Sequence, residues 1–149
     1  MRSVIQRVSR AQVSVDDRQI GTIGYGLVVF LGIHTRDGEK DVQWMANKIK
    51  GLRIFDDDRG LMNRSLLDIG GEMLIVSQFT LYGDCRKGRR PGYSSAARPE
   101  QAEPLYEHFV EHIVQAGIKV ATGQFQAMMQ VDLVNDGPVT LLLDSSGTF

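Results

Sequence analysis

The sequence is organised around a strand that passes from buried apolar residues directly into hydroxyl and amide side chains. Residues 72–78 contain an unbroken run of Met, Leu, Ile and Val, which predicts a strand covered on both faces. Ser77, Gln78, Phe79 and Thr80 stand where this run ends. Because a fully covered strand needs sheet neighbours and outer helices, we interpret the rest of the chain as the scaffold of this transition.

The remaining pattern predicts a mixed α+β chain of the broad α/β class, with a strongly curved sheet and two main helices on its outside. Alternating apolar residues and short apolar runs predict strands at residues 3–15, 18–23, 27–33, 53–55, 72–78, 119–121, 128–135 and 139–144. Apolar residues at three- and four-residue steps predict helices at 39–52, capped by Thr35 or Asp37, and at 99–115, begun by Pro99.

Length and charge limit what the chain can do. At 149 residues, without repeats or a linker, it is expected to form a single domain over 1–149. A formal net charge of −1 gives no general attraction to polyanions, so any contact with nucleic acid must be local. Residues 86–90 carry four cations in five positions and are either a solvated loop or a phosphate clamp, for which Tyr82, Tyr93 and Phe125 could provide stacking surfaces.

Targeting and redox signals point to the cytoplasm. Cys85 is the only cysteine, so neither an intramolecular disulfide nor cysteine-based metal spacing is available, which favours a reducing compartment. The first residues lack the apolar core of a signal peptide, and no window approaches the roughly 18 apolar residues of a membrane span. A cytoplasmic protein without a membrane partner is expected.

Two patterns could suggest metals, and neither is favoured. His108, Glu111 and His112 match the spacing His-x-x-Glu-His of some zinc hydrolases, but helical geometry places Glu111 opposite the apolar stripe and both histidines on its solvated flank. The aspartates at 56–58 fit a hairpin turn better than a calcium loop, because no glutamate follows at the required spacing. No cofactor is predicted, and His34 is interpreted as structural.

The sequence shows no base that could activate a hydroxyl group at the end of this strand. Ser77 or Thr80 could attack a carbonyl only if a base activated the hydroxyl, and the sequence shows neither a triad order nor a nucleophile elbow. From chemistry alone, hydrogen-bonded strand residues are the favoured interpretation. Gly137 and Pro138 form the second unusual site, where proline ends ladder pairing and frees carbonyl groups, or where the chain simply turns.

Several motifs, taken in order, resemble the D-aminoacyl-tRNA deacylase family. They are Gln6-Arg7-Val8, Ser77-Gln78-Phe79-Thr80, Arg90-Pro91, the spaced residues Gly123, Phe125, Ala127 and Met129, and Asn135-Asp136-Gly137-Pro138-Val139-Thr140. Each motif is modest alone, but the likeness spans essentially the whole chain. The resemblance implies a homodimer of barrel-like subunits that hydrolyses the ester between tRNA and a D-amino acid, or glycine mischarged on the alanine tRNA. It implies neither a cofactor nor a DNA partner.

The resemblance also implies roles for particular residues. Ser77, Gln78, Phe79 and Thr80 would form the catalytic pocket, with main-chain N–H groups facing the ester. A cis Gly137–Pro138 pair would enter the partner subunit's pocket and exclude the side chain of an L-amino acid, and Arg7 would orient it. Phe125 and Met129 would accommodate the terminal adenine. Thr80 is either the nucleophile or a pocket residue beside an assisting ribose 2′-OH, and the missing base favours the second. The alternative is a noncatalytic RNA-end or nucleotide-binding barrel.

Overall fold

Eight strands, two helices and one short 3-10 helix form the fold of the computed structural model, which describes residues 1–148. In chain order the elements are β1 (Arg2–Val15), β2 (Arg18–Ile23), β3 (Gly26–Gly32), α1 (Glu39–Lys50), β4 (Phe55–Asp56), β5 (Met62–Arg64), β6 (Glu72–Ser77), the 3-10 helix (Phe79–Tyr82), α2 (Pro99–Gln115), β7 (Lys119–Thr122) and β8 (Gln130–Asp144). This confirms the predicted mixed α+β class and both helices.

One sheet curls into a nearly closed barrel. Its strand order is β2-β1-β3-β6-β7, and β8 pairs with the other side of β1. β3, β6 and β7 are mutually parallel, so their carboxyl ends share one edge of the sheet. The curl brings β2 against β7, where a Cβ on Gly21 would lie 3.0 Å from the carbonyl oxygen of Thr122. The predicted curved, barrel-like sheet with outer helices is confirmed.

The two faces of the sheet bury different sets of side chains. Leu27, Val29 and Leu31 of β3 point to the outer core beneath α1 and α2, whereas Val28 points into the barrel. In β6, Leu74 and Val76 join Val28 inside the barrel. Alternation along strands that are buried on both faces explains why β3 and β6 are apolar throughout.

The β3–β6 pair begins at a close approach between backbones. A Cβ on Gly26 would lie 1.9 Å from the carbonyl oxygen of Glu72, so no other residue fits without moving a strand. This contact sets the register in which Gly26 pairs with Glu72 and Leu31 pairs with Ser77. The glycine therefore contributes to the placement of Ser77 at the far end of β6.

Several predicted boundaries are wrong. Neither Thr35 nor Asp37 caps α1, because the helix begins after Gly38, whose N–H donates to the carboxylate of Asp41 at 3.0 Å. The Asp37 carboxylate instead accepts the N–H of His34 at 2.6 Å. The strand predicted at 53–55 lies at Phe55–Asp56 and forms a hairpin with β5, which was not predicted.

The two strands predicted at 128–135 and 139–144 are one strand, β8. Asn135 pairs with Val8 and Thr140 pairs with Gln6, both antiparallel to β1, so the chain keeps its direction. The intervening residues 136–139 stand opposite Arg7 alone and form an outward bulge, which we call the Gly-Pro bulge. Two separate strands were predicted, with a turn between them as one alternative, because Gly-Pro interrupts ladder pairing in a turn and in a bulge alike.

Candidate active site

The carboxyl edge of the parallel strands carries Ser77 and the 3-10 helix. Ser77 ends β6 beside Leu31, and the N–H of Gln78 donates to the carbonyl oxygen of Leu31 at 2.8 Å. The chain then leaves the sheet, so the interpretation of residues 78–80 as strand residues is wrong. Phe79 and Thr80 occupy the first helical turn, where N–H groups have no carbonyl within the helix to bind. Among described residues, neither N–H has a hydrogen-bond partner.

Thr80 has no base beside it. Its hydroxyl oxygen accepts a short hydrogen bond from the side-chain amide of Gln78. No histidine, carboxylate or lysine within the described chain contacts this hydroxyl. Because an unactivated hydroxyl is a weak nucleophile, the geometry suits Thr80 to lining the site and donating a hydrogen bond.

Contacts with the sheet and a loop hold the 3-10 helix in place. Arg2 donates to the carbonyl oxygen of Leu81 at 3.3 Å and stacks 4.7 Å from the ring centre of Tyr82. Tyr82 is therefore buried and does not offer the stacking surface predicted for it. Phe79 is 55% exposed, and its ring meets Tyr93 edge-on at 5.1 Å.

Phe125 and Met129 lie at the same sheet edge, after β7. The N–H of Gly123 and the hydroxyl of Tyr106 both donate to the carbonyl oxygen of Ile75, at 3.0 and 2.9 Å. The Phe125 ring packs 5.9 Å from Tyr106, and Met129 Sδ occupies the space that a side chain on Gly123 would need. Burial raises the pKa of Tyr106, so its hydroxyl remains a proton donor.

The Gly-Pro bulge is held from inside the fold by Arg7. The Gly137–Pro138 peptide bond is cis, the geometry that the resemblance implies, and both residues are exposed. The buried Arg7 donates through Nε to the Asp136 carbonyl oxygen at 3.3 Å and lies 3.1 Å from its carboxylate. Its other arm donates to the carbonyl oxygen of Ile54 at 2.8 Å. The guanidinium thus ties the bulge to the segment before β4.

Within the chain the bulge is far from Ser77. Arg7 pairs with Leu27, and Leu27 pairs with Met73, so the bulge lies four residues from Ser77 along the strands and three strands across. At about 3.3 Å per residue and 4.8 Å per strand, these offsets are about 13 and 14 Å, or roughly 19 Å together. The structure therefore places Ser77, Phe79, Thr80, Phe125 and Met129 at one edge of the sheet, and Gly137–Pro138 and Arg7 away from it.

Sequence comparison decides the family. The sequence profile described as D-Tyr-tRNA(Tyr) deacylase matches residues 4–144. The chain belongs to this deacylase family. Its relatives include the D-aminoacyl-tRNA deacylases of Desulfotalea psychrophila, 61% identical over 149 residues, and of Clostridioides difficile, 60% identical over 149 residues, each match covering both chains completely.

Solved structures support the deacylase fold. The structure titled c-Myc DNA Unwinding Element Binding Protein superposes with a TM-score of 0.91 at 42% identity, covering 97% of this chain and 98% of that one. A probable eukaryotic D-amino acid tRNA deacylase superposes with a TM-score of 0.82 at 18% identity, covering 95% of this chain and 97% of that one. The second likeness concerns the fold alone.

Asn135 is a residue of this deacylase that sequence reasoning did not single out. Its Oδ1 accepts the N–H of Val139 at 3.1 Å, and its Nδ2 donates to the hydroxyl of Thr140 at 2.9 Å. Gln6 donates to the same hydroxyl at 3.1 Å. Asn135 therefore closes the base of the Gly-Pro bulge opposite Arg7. The signal was present in the motif, where an amide precedes Gly-Pro by two positions, but Asn there is also typical of turns.

The other candidate groups of the deacylase lie apart from this edge. His108 and His112 lie 3.2 and 3.1 Å from the carboxylate of Glu39, and the hydrogen bonds of His112 and His108 lower the pKa of that carboxylate. Asp57 accepts N–H groups from Arg59 and Leu61 in the β4–β5 hairpin. Within residues 1–148, no group of three or more His, Cys, Asp or Glu is arranged to hold a metal ion. No helix in the described part of the chain could span a membrane.

Proposed function

We propose that this protein, acting as one domain over 1–149, hydrolyses the ester of D-aminoacyl-tRNA and releases free tRNA and the D-amino acid in the cytoplasm. The observation that carries the proposal is the 61% identity, over the whole of both chains, with a D-aminoacyl-tRNA deacylase. The site geometry agrees with an ester hydrolase that works mainly through its backbone. A charged side-chain nucleophile is not needed for such chemistry.

In the proposed reaction, water adds to the ester carbonyl carbon and the bond to the ribose 3′-oxygen breaks. The N–H groups of Phe79 and Thr80 bind the oxygen that becomes negative, which is the usual way that backbone donors stabilise a tetrahedral intermediate. The ribose 2′-OH beside the leaving oxygen assists proton transfer to it. Ser77, Gln78 and the Thr80 hydroxyl line the pocket, while Phe125 and Met129 receive the terminal adenine.

Selectivity for D-amino acids is proposed to come from a second copy of the chain. The exposed Gly137–Pro138 pair would enter the partner's pocket, bind the α-amino group through carbonyl oxygens and leave no room for an L side chain. The separation of roughly 19 Å within one subunit, from strand spacings, supports assembly across a homodimer. Glycine has no side chain to exclude, so glycyl-tRNA mischarged on the alanine tRNA would also be a substrate.

One assay tests the activity against its rival. D-Tyr-tRNA and L-Tyr-tRNA are incubated separately with the protein, and release of tyrosine is followed; rapid loss of the D-ester alone is expected. Loss of neither ester would leave a noncatalytic RNA-end or nucleotide-binding barrel, which would use the basic residues 86–90 and nearby aromatic rings. Loss of both at equal rates would contradict the chiral filter.

The backbone mechanism has a direct test at Phe79. Phe79→Pro removes one N–H donor at the first helical position, where proline is tolerated. Phe79→Ala keeps the N–H and removes the same aromatic ring, so it is the matched control. Loss of one such donor is expected to lower kcat by about 10²- to 10³-fold in the proline variant only. Thr80→Ala should retain substantial activity, and a covalent acyl group on Thr80 would contradict the mechanism.

Subunit mixing tests the shared site. Subunits carrying Phe79→Pro and subunits carrying Pro138→Ala are each expected to be impaired for D-selective hydrolysis. Their hybrid dimer contains one pocket with intact Phe79 and an intact Gly137–Pro138 from the other chain. About half of the wild-type activity per dimer is expected in the hybrid. Hybrids as inactive as both parents would count against assembly across the dimer.

A further inference from the structure

Five exposed cations collect at the same end of the sheet as Ser77 and the 3-10 helix. We call them the basic rim: Arg36, Lys87, Arg89, Arg90 and Arg98. Arg36 follows β3, and Arg98 immediately precedes α2. The segments that bear them are joined, because the N–H of Thr35 donates to the carbonyl oxygen of Ser95 and His34 pairs with Ala96.

The loop that bears the other three cations is anchored to the site. Asp84 and Gly92 exchange two backbone hydrogen bonds of 2.7 and 3.0 Å, which close residues 85–91 into a loop. The next residue, Tyr93, contacts the ring of Phe79 at 5.1 Å. The base of the loop therefore touches the residue whose N–H faces the proposed reaction.

The rim cations are not used inside the protein. Arg86 donates to both oxygens of Asp84, at 2.8 and 2.7 Å, and so neutralises the carboxylate in the loop. In the described chain no ion pair involves any rim residue, even though Glu100 follows Arg98 by two positions. With a net charge of −1, this concentration of unpaired positive charge is local to the site edge.

We propose that the basic rim binds the phosphates of the tRNA acceptor arm while the 3′ end occupies the pocket. This rests on the proposed function and adds the surface that holds the RNA body. Guanidinium and ammonium groups around a small pocket suit a polyanion larger than the reacting nucleotide, and such contacts release counterions. Affinity would then depend on salt, whereas the chemical step inside the pocket would not.

The first test measures binding of uncharged tRNA between 50 and 200 mM salt. The triple variant Lys87→Gln/Arg89→Gln/Arg90→Gln should lower the slope of log K against log salt by about 2 to 3, at 0.7–0.9 per phosphate. Raising the salt from 50 to 200 mM should therefore weaken tRNA binding by the wild type by a factor that is about 20 to 40 times larger than the factor for the triple variant. The charge-matched control, Lys48→Gln/Lys50→Gln/Arg53→Gln, changes residues at and beyond the other end of α1 and should keep the wild-type slope.

A second measurement separates this proposal from the proposed function. D-Tyr esterified to adenosine alone reaches the pocket but has no acceptor arm, so the rim variant should hydrolyse it at the wild-type rate. On D-Tyr-tRNA at subsaturating concentration the same variant should be at least 10-fold slower, through KM. An equal loss of hydrolysis rate on both substrates, or no loss of rate on D-Tyr-tRNA, would contradict the proposed role of the basic rim. If the wild type hydrolyses neither substrate, the proposed function itself fails.

Discussion

Replacing Arg7 by methionine tests how much the Gly-Pro bulge depends on the fold beneath it. Methionine keeps most of the buried stem but removes the guanidinium, which donates to the Ile54 carbonyl oxygen at 2.8 Å and the Asp136 carbonyl oxygen at 3.3 Å. Ile54 is buried, so its unpaired carbonyl is expected to cost about 1–3 kcal/mol. The Asp136 and Asp56 side chains are 40% and 49% exposed and can rehydrate, so these ion pairs add at most about 1 kcal/mol.

The expected loss of unfolding free energy in Arg7→Met is therefore about 1–4 kcal/mol. For a chain of this size each kcal/mol lowers Tm by about 2–4 °C, so the middle of this range gives a decrease of roughly 8 °C. Urea unfolding measures the free energy, and calorimetry measures Tm. Arg10→Met is the control on the same strand, because Arg10 is exposed and has no ion pair within the described chain; it should stay within about 0.5 kcal/mol of the wild type.

Selectivity in Arg7→Met distinguishes support of the bulge from general stability. Measured well below Tm, the ratio of kcat/KM for D-Tyr-tRNA to that for L-Tyr-tRNA should fall at least 10-fold, because the released bulge no longer presents Gly137 and Pro138 in one orientation. Arg7→Lys keeps the charge but cannot donate in both directions, so an intermediate ratio is expected. A variant with lowered Tm and an unchanged ratio would refute the link between Arg7 and the filter.

Three further substitutions probe the scaffold. Burial raises the pKa of Asp144, but hydrogen bonds outweigh it and hold the pKa at about 2. As pH falls from 4 to 2, urea unfolding should show the wild type losing about 2 kcal/mol more than Asp144→Asn, because other carboxylates with lowered pKa values, such as Glu72 and Asp84, titrate in both proteins. Gly26→Ala should prevent folding or lower Tm by more than 10 °C, because its Cβ would lie 1.9 Å from the Glu72 carbonyl oxygen. Tyr106→Phe removes one of two donors to the Ile75 carbonyl and should cost about 1 kcal/mol in chemical denaturation.

Local sequence patterns were sufficient where a local cause determines the structure. The helix predicted at 99–115 is α2 with the same bounds, because Pro99 suits a first helical turn and the apolar stripe continues to Ile113. The barrel strands followed from alternation and from turns such as Asp16-Asp17, whose positive φ angles of 49° and 60° fit a tight hairpin. The predicted cap of α1 was wrong because the Asp37 carboxylate accepts the N–H of His34 instead. Residue spacing alone does not reveal this competing hydrogen bond.

The geometry of the site could not be predicted from local sequence because it depends on contacts between residues that are distant in the chain. Whether Gly137–Pro138 turns the chain or bulges from a strand is decided by β1, which pairs with residues on both sides of it. The 3-10 helix after Ser77 is likewise held by Arg2, almost eighty residues earlier, through the Leu81 carbonyl. Phe125 and Ser77 share one edge of the sheet because β6 and β7 pair in parallel. The order strand, helix, strand is consistent with parallel pairing, but it does not predict the register of the two strands.

The Gly-Pro bulge in β8 can change in length without a change in the strand pairing of the sheet. Asn135 and Thr140 are each paired with β1, so the sheet is anchored on both sides of the bulge. One residue more or fewer between these anchors would change how far the chain projects while every strand keeps its register, since bulges absorb extra residues locally. Natural variation could therefore adjust the reach of residues 136–139 toward a neighbouring molecule by insertion or deletion, without any compensating change in the barrel.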